Sequence, residues 1–537
     1  MSERPDYRTY YNAFDLQALA STLHGDLETA INPCVECCDR HVGSNATALL
    51  YESMSGASAS YSFEQLQERS AQVGNFLTAH GVGVGDRVAG LLPRVPDLVA
   101  LVLGTWRAGA VYQPLFTAFG PKAIEHRLSV SEAKVIVTDA SNRAKLDDIA
   151  DIPLVMCLED RPGDVNFTNG VDAAAAEFAP VMRTGNDPML MMFTSGTTGP
   201  AKAMYIPIRA LLEFDVYTRL VLEVRADDVF WNMADPGWAY GLYCGLAGPL
   251  LTGHQTTFYD GPFTVESTGH VIEKLGVTNL AAAPTAYRMI IAAGPDAAAP
   301  LKRHLRVASS AGEPLNPEVM RWFEQHVGCS LFDQYGQTEC SMILGNHHGL
   351  SHTVTAGSAG LPMPGFSLAV VDESGQPVAA GNAGIIAVDR KQSPLFFFEG
   401  YLGQEDKAFI GDYYLTGDTV VRNADGSITF VGRSDDVISS AGYRIGPFDV
   451  ESCLLEHPAV AESGVVGKPD TQRGAIVKAF VVLHPNHTAD DALRAQLQEH
   501  VRDRVGKHAF PREIDFVDSL PKTPSGKIQR FMLRNEP

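Results

Sequence analysis

The chain has 537 residues, which at roughly 100–200 residues per domain makes room for a few structural units. Hydrophobic residues are 45 %, aromatics 9 % and charged residues 20 %, so disordered, collagenous and disulfide-scaffold architectures are excluded and a large core can form without staples. Lys plus Arg is 42 against 63 Asp plus Glu, a net charge of −21; this excludes broad contact with nucleic-acid backbone and leaves only a local basic pocket for polyanions.

The stretch from Met1 to Tyr7 is polar and no apolar segment follows it, so no signal peptide is expected. Arg4 and Arg8 are offset by Glu3, Asp6 and Asp15, which argues against a transit peptide. No run approaches the roughly 18 apolar residues of a membrane span. Cys34, Cys37, Cys38, Cys157, Cys244, Cys329, Cys340 and Cys453 are sparse for this length and fit a reduced cytoplasm, the expected location. Cys34, Cys37, Cys38 and His41 have metal-like spacing without a second ligand pair, so a cysteine-bearing helix is expected there.

Lys134–Thr138 reads as a buried strand, followed by Pro188–Phe193 and by Thr278–Ala283, which leads through Pro284 into a helix. Leu305–Ala308 reads as a strand; after it Asn316 is placed to cap a helix with Pro317 at its first position. His347, His348 and His352 read as loop histidines. This alternation predicts an α/β fold with mixed, mostly parallel sheets. A boundary falls near Gly432-Arg433-Ser434-Asp435-Asp436. Beyond it, Ser463–Val466 and Ala475–Leu483 read as strands, and Leu493, Leu497, Val501 and Val505 share one helix face, enough for a small α+β domain. The expected division is a large N-terminal domain, 1–434, and a small one, 435–537.

The strongest local motif is Thr194-Ser195-Gly196-Thr197-Thr198-Gly199-Pro200-Ala201-Lys202, just after an apolar run. Its glycines and hydroxyls suit a loop closing on phosphate oxygens, with Lys202 adding charge. Its glycine and lysine spacing is not that of a Walker A loop. The segment resembles the phosphate loop of the adenylate-forming superfamily. Four more motifs follow in that family's order: Asp333-Gln334-Tyr335-Gly336-Gln337-Thr338-Glu339, Tyr414-Leu415-Thr416-Gly417-Asp418, Gly432–Val437 with Ala441-Gly442-Tyr443-Arg444-Ile445-Gly446, and Pro521–Lys527. Within the superfamily, Ala234–Trp238 and Ser310–Pro317 are most similar to the acetyl-CoA and medium-chain acyl-CoA synthetase branch.

The resemblance implies two half-reactions at one site. A carboxylate attacks the α-phosphate of ATP to give an acyl-adenylate and pyrophosphate; coenzyme A then displaces AMP and forms a thioester. Because anion meets anion in the first step, cations must screen it. By this resemblance Lys527 bridges acyl carboxylate and phosphate, Glu339 binds Mg²⁺ and Thr338 lies beside them at the reacting groups. Thr194, Ser195, Gly196, Thr197, Thr198, Gly199 and Lys202 hold phosphates. Gly312-Glu313-Pro314 with Asp333, Gln334, Tyr335, Gly336, Gln337 and Thr338 surrounds the nucleotide, Tyr335 offering a flat face to adenine. Asp418 and Arg433 serve the ribose and Arg444 pairs with phosphate.

Asp435 takes the hinge position of a mobile C-terminal domain. Ala441, Gly442 and Tyr443, with Arg473, Arg502 and Arg512, lie toward coenzyme A. Lys522 reads as solvated. Acetyl-specific members carry Trp where this chain has Gly336, so Gly336, Trp238, Tyr240 and Leu242 are expected to line a pocket for short- to medium-chain acids. Asp235 is shared with the acyl branch and is not taken as a reader of amino groups. Loading of a carrier protein and a catalytically silent nucleotide-binding regulator are the alternatives, and oligomeric state stays open.

Overall fold

The computed structural model describes residues 4–194, 201–404, 408–433, 436–440, 443–470, 473–522 and 528–534; for Ser439, Tyr443 and Arg444 it describes the backbone alone. Val135–Thr138, four apolar or β-branched residues, is buried at every position. It sits inside a seven-stranded sheet ordered Val165–Asn166, Leu154–Cys157, Val135–Thr138, Arg87–Leu91, Val111–Pro114, Pro188–Thr194, Lys202–Pro207. The ladders are parallel except the last, where Thr194 pairs antiparallel with Lys202. Parallel strands covered on both faces need no polar alternation, which is why these runs are legible as strands.

A six-stranded sheet runs Phe230–Asn232, Asn279–Ala282, Val307–Ser310 and Ser330–Gln337 in parallel, then turns antiparallel through Ser341–Gly345 and Leu361–Pro362. Helices pack against these sheets, and their starts are written locally. Ser62 and Gln65 form a reciprocal capping box for Phe63–Ala79; Thr264 and Ser267 do the same for Val265–Leu275, which ends on Gly276 in a left-handed conformation. An antiparallel sheet of Leu368–Val371, Ala383–Asp389, Phe409–Ile410, Tyr413–Arg422 and Ile428–Arg433 completes the large domain.

From Ile438 onward the chain builds its own core. Val460–Asp470, Gly474–Leu483 and Glu513–Phe516 form a sheet against Pro447–Leu455 and Asp491–Arg504, a smaller α+β unit. Leu493, Leu497 and Val501 face that core as their spacing predicts.

Two local expectations shift. The strand read at Leu305–Ala308 begins at Val307, because Leu305 closes the helix Ala299–His304. Asn316 does occupy the N-cap of Pro317–Trp322, but its side chain makes no cap bond. Its Nδ2 donates instead to Ser452 Oγ of the small domain at 2.7 Å. The cysteine-bearing helix forms as Pro33–Cys37, and all eight cysteines are buried and free. His347 and His348 lie in a loop as read, but the loop is buried: His348 stacks on Phe332 at 4.3 Å. Among the described residues no helix is long and apolar enough to cross a membrane.

Leu497 is fully buried in the small domain's core. Leu497→Ala should lower the stability of that domain by about 2–5 kcal/mol. Chemical denaturation followed by hydrogen exchange should place the loss in residues 436–534 and leave the large domain's protection unchanged.

Candidate active site

The site is organised by a hairpin. Ser330–Gln337 leaves the parallel sheet, reverses through Thr338–Cys340 and returns as Ser341–Gly345, with a register shift between Tyr335 and Gly336. The two chains approach so closely that a Cβ on Gly336 would lie 2.0 Å from the Ser341 carbonyl oxygen. Ser341 itself takes φ +51°, a left-handed conformation costly for a non-glycine residue. Gly336, expected to open a wall of an acyl pocket, faces the return strand. The space its missing side chain leaves is filled by the backbone of Ser341 and Met342.

Side chains from the hairpin's long strand converge on one carboxylate. Tyr335 OH donates to Asp418 Oδ2 at 2.5 Å, and Gln337 Nε2 donates to the same oxygen at 2.8 Å and to Thr416 O at 2.9 Å. Tyr414 OH donates to Gln337 Oε1 at 2.9 Å, which fixes the amide's orientation. Asp418 and Arg433 face each other across the antiparallel pair Tyr413–Arg422 and Ile428–Arg433. Burial drives the Tyr335 phenol's pKa up, so it stays a donor.

At the hairpin's tip Glu339 is buried and its pKa is raised by that burial. Tyr401 OH donates to Glu339 Oε1, and Lys202 Nζ stands 4.7 Å from the centroid of the same Tyr401 ring. A chain of contacts thus joins Lys202, Tyr401 and Glu339, and Thr194 lies opposite Lys202 in the ladder. Tyr401 contacts the site residues although no motif singled it out, and Tyr414, first residue of the Tyr414–Asp418 motif, was given no role of its own; the aromatic run Phe396-Phe397-Phe398 just before Tyr401 marks the segment only as buried. Thr338 offers its carbonyl to Tyr243 OH at 3.5 Å.

Behind the hairpin lies a group of buried polar atoms. Asp333 Oδ1, Gln334 Nε2 and the hydroxyls of Ser309 and Ser310 have no hydrogen-bond partner among the described residues. Ser310 pairs with Asp333 at the carboxyl ends of adjacent parallel strands, where open α/β sheets bind ligands. Asp333 Oδ2 accepts from Leu315 N at 3.2 Å, while Gln334 Oε1 accepts from Tyr217 OH. Gly312 takes φ +97° with nothing within 4 Å of a Cβ position, and Glu313 beside it is held by Arg288 at 2.8 Å and by Thr285 at 3.1 Å. Pro314 completes this turn.

The remaining expected residues separate. Trp238 joins Phe116 and Phe119, with ring centroids 5.6 and 5.4 Å away, and its buried Nε1 has no partner among the described residues. Tyr240 OH meets Tyr217 OH at 3.4 Å. Leu242 is fully buried in the main core. Arg502 and Arg512 share one ring, their guanidinium carbons 4.4 and 5.0 Å from the Phe510 centroid. Arg473 starts the return strand of a hairpin, its amide donating to Asp470 Oδ1 at 2.8 Å. Lys522, read as solvated, pairs with Glu462 at 2.7 Å. Ser195, Gly196, Thr197, Thr198, Gly199, Asp435, Ala441, Gly442 and Lys527, and the side chains of Tyr443 and Arg444, lie outside the described residues.

A nucleotide-scale set of polar groups at strand ends, beside a buried carboxylate and a lysine, on a large α/β domain followed by a small one, defines an adenylate-forming enzyme. The sequence matches the AMP-binding enzyme family over residues 38–402 and the AMP-binding enzyme C-terminal domain over residues 449–527. Acetyl-coenzyme A synthetase of Bacillus subtilis (strain 168) is 36 % identical, covering 98 % of this chain and 94 % of that protein. The mitochondrial acyl-coenzyme A synthetase ACSM3 of Rattus norvegicus is 37 % identical over 90 % of this chain and 85 % of its own. The crystal structure of an acyl-CoA synthetase from Brucella canis superposes with a TM-score of 0.82 at 53 % identity, covering 99 % of this chain and 98 % of that one. The chain belongs to the AMP-binding enzyme family, and within it to the AMP-forming acid–CoA ligases. Use of ATP and coenzyme A follows from that membership.

Burial without a counter-charge pushes the Asp333 carboxyl from its ordinary 3.8 up to about 8. Between those values the folded chain keeps a proton that the unfolded chain has released, so this residue's contribution to stability falls as pH rises from about 4 to about 8. Asp333→Asn should flatten that part of the pH profile of ligand-free stability, measured by denaturant midpoint at a series of pH values. An unaltered slope would place Asp333 in contact with water or a cation.

Proposed function

We propose that the chain activates short- to medium-chain carboxylic acids, first as acyl-adenylates and then as coenzyme A thioesters, with the residues near Asp418 and Glu339 serving the two ends of the nucleotide. The observation that carries this reading is the hairpin: one rigid element turns Tyr335 and Gln337 to Asp418 and presents Glu339 at its tip. The Asp418 carboxylate already accepts from two neutral donors, a geometry that suits exchange with ribose hydroxyls. The purine lies toward Gly312-Glu313-Pro314, where the buried polar atoms of Ser309, Ser310, Asp333 and Gln334 lack partners.

The donor set at Glu339 fits Mg²⁺. A buried carboxyl whose pKa is raised by burial gains from a divalent cation, and one carboxylate together with phosphate oxygens is a usual magnesium environment. Bound there, the ion would neutralise charge on the triphosphate, as Lys202 does from the other side of Tyr401. Lys527 is assigned to the encounter of carboxylate and α-phosphate. Arg433 serves the ribose and Arg444 a phosphate. The small domain is read as 435–537, turning near Asp435 so that Ala441, Gly442 and Tyr443 approach the site for the thioester step, with Arg473, Arg502 and Arg512 toward coenzyme A.

The acid's chain is assigned to the side of Trp238 with Phe116 and Phe119, an apolar wall where each buried CH₂ contributes about 0.8 kcal/mol. The names of the relatives, acetyl- and acyl-CoA synthetases, support a simple aliphatic acid.

AMP release from ATP should therefore depend on both coenzyme A and the acid, with an optimum across acetate, propionate, butyrate, isobutyrate, hexanoate, octanoate and benzoate. AMP release that ignores coenzyme A, or the absence of turnover with every acid, would refute the reading. Lys527→Ala should abolish adenylate formation while leaving thioester formation from supplied acyl-adenylate in place. Equal loss of the two half-reactions would show that Lys527 does not divide them.

A further inference from the structure

The tip of the hairpin carries two residues assigned to the reaction, Thr338 and Glu339, yet its own backbone is unfavourable: Ser341 is left-handed and Gly336 is pressed against the opposite strand. Something outside the hairpin must hold it. Glu213, on the helix Leu211–Val216, has a fully buried side chain, and its Oε1 accepts from Met342 N at 3.2 Å. Its second oxygen and the hydroxyl of Ser341 are both buried, and the two side chains stand near enough to interact. The same helical layer supplies two more holds. Tyr217 donates to Gln334 at the strand's entry, and Tyr243, stacked on Phe214 at 4.9 Å, reaches the carbonyl of Thr338.

A carboxyl placed there is expensive. Burial without a facing cation drives its pKa well above the usual carboxylate range and so favours the neutral acid. A leucine or methionine would fill the same volume at lower cost if the position were only core. A neutral carboxyl brings an acceptor for the strand amide and an O–H that can reach the left-handed Ser341, which no apolar residue offers.

We infer that Glu213 is a positioning residue for adenylate formation: by binding the amide of Met342 it fixes the strained return strand and so sets Thr338 and Glu339 against the triphosphate. The inference rests on the proposed role of Glu339. Misplacement of a reacting group by an ångström or so costs about 100-fold in rate.

The test uses the full chain, assaying adenylate formation at saturating ATP and thioester formation from supplied acyl-adenylate, with circular dichroism and melting temperature as folding checks. Glu213→Leu should reduce kcat for adenylate formation by about 100-fold while changing the thioester step by less than about three-fold. Glu213→Gln, which keeps the acceptor and a donor in the same shape, should restore most of the rate. Glu213→Asp, which withdraws the acceptor by one methylene, should lose about ten-fold and serves in place of the leucine variant if that one does not fold. Full adenylation by Glu213→Asp and Glu213→Leu, equal loss of both half-reactions in a folded variant, or no rescue by Glu213→Gln would overturn the inference. Glu339→Gln is run beside them. If it leaves adenylation intact, the assignment of Glu339 is what fails, whatever the Glu213 variants do.

Discussion

The Ser341 carbonyl leaves no room for a side chain at residue 336. That single close approach narrows the hairpin, and the narrow hairpin brings the rest of the site into line. With the strands so near, the turn must be made within Thr338–Cys340, and Ser341 must accept a left-handed backbone to complete it. Tyr335 and Gln337, two residues apart on the long strand, share a face and both reach Asp418, while the register shift leaves the extra residue, Ile343, on the return strand. The donors to Asp418 and the carboxyl of Glu339 are thereby set by one backbone geometry.

Rigidity at this element is bought with buried polar chemistry. Glu213, Tyr217 and Tyr243 bind the hairpin from behind, and Tyr401, Tyr414 and Thr416 bind it in front. Tyrosine suits the task because its ring fills the core while its hydroxyl points to one defined partner, at two rotatable side-chain bonds. The network is not closed. Asp333, Gln334, Ser309 and Ser310 keep unmatched polar atoms at the strand ends. Such atoms have donors and acceptors to offer a hydrogen-bonding ligand, and Asp333 and Gln334 belong to the hairpin's own long strand.

Sequence reading succeeded where the controlling interaction is local. Val135–Thr138 is a strand because four consecutive apolar or β-branched residues can be buried only in a sheet covered on both sides, and Leu493, Leu497 and Val501 reveal a helix because they recur at its period. The motif Asp333–Glu339 was legible as a unit through its resemblance to the adenylate-forming superfamily. What it could not reveal is the company each residue keeps. Tyr401 is 62 residues from Glu339, Tyr243 is 95 from Thr338 and Glu213 is 129 from Met342. Nothing in the local pattern distinguishes these from ordinary core residues. The same holds at Gly336: a missing side chain is visible in sequence, but whether a ligand or a backbone fills the space is a tertiary fact. Asn316 was placed correctly at a helix start and still given the wrong partner, because a distant hydroxyl competed with the local amides.

That competition bears on how the two domains meet. Asn316 gives up its own helix cap and donates to Ser452, while its Oδ1 stays buried with no partner among the described residues. Beside it, Gly446 comes so close to Val431 that a Cβ there would lie 2.5 Å from the Val431 carbonyl. An apolar seam would weld the domains, since every square ångström exposed on parting would cost hydrophobic free energy. The Asn316 contact is of another kind: a hydroxyl and an amide that lose each other recover water, and the Asn316 side chain can return to the first amides of its own helix. The strained, many-sided fixation of the hairpin and the exchangeable bond at Asn316 are therefore contacts of opposite kinds: one is held by partners on several elements, the other can be remade with water at low cost.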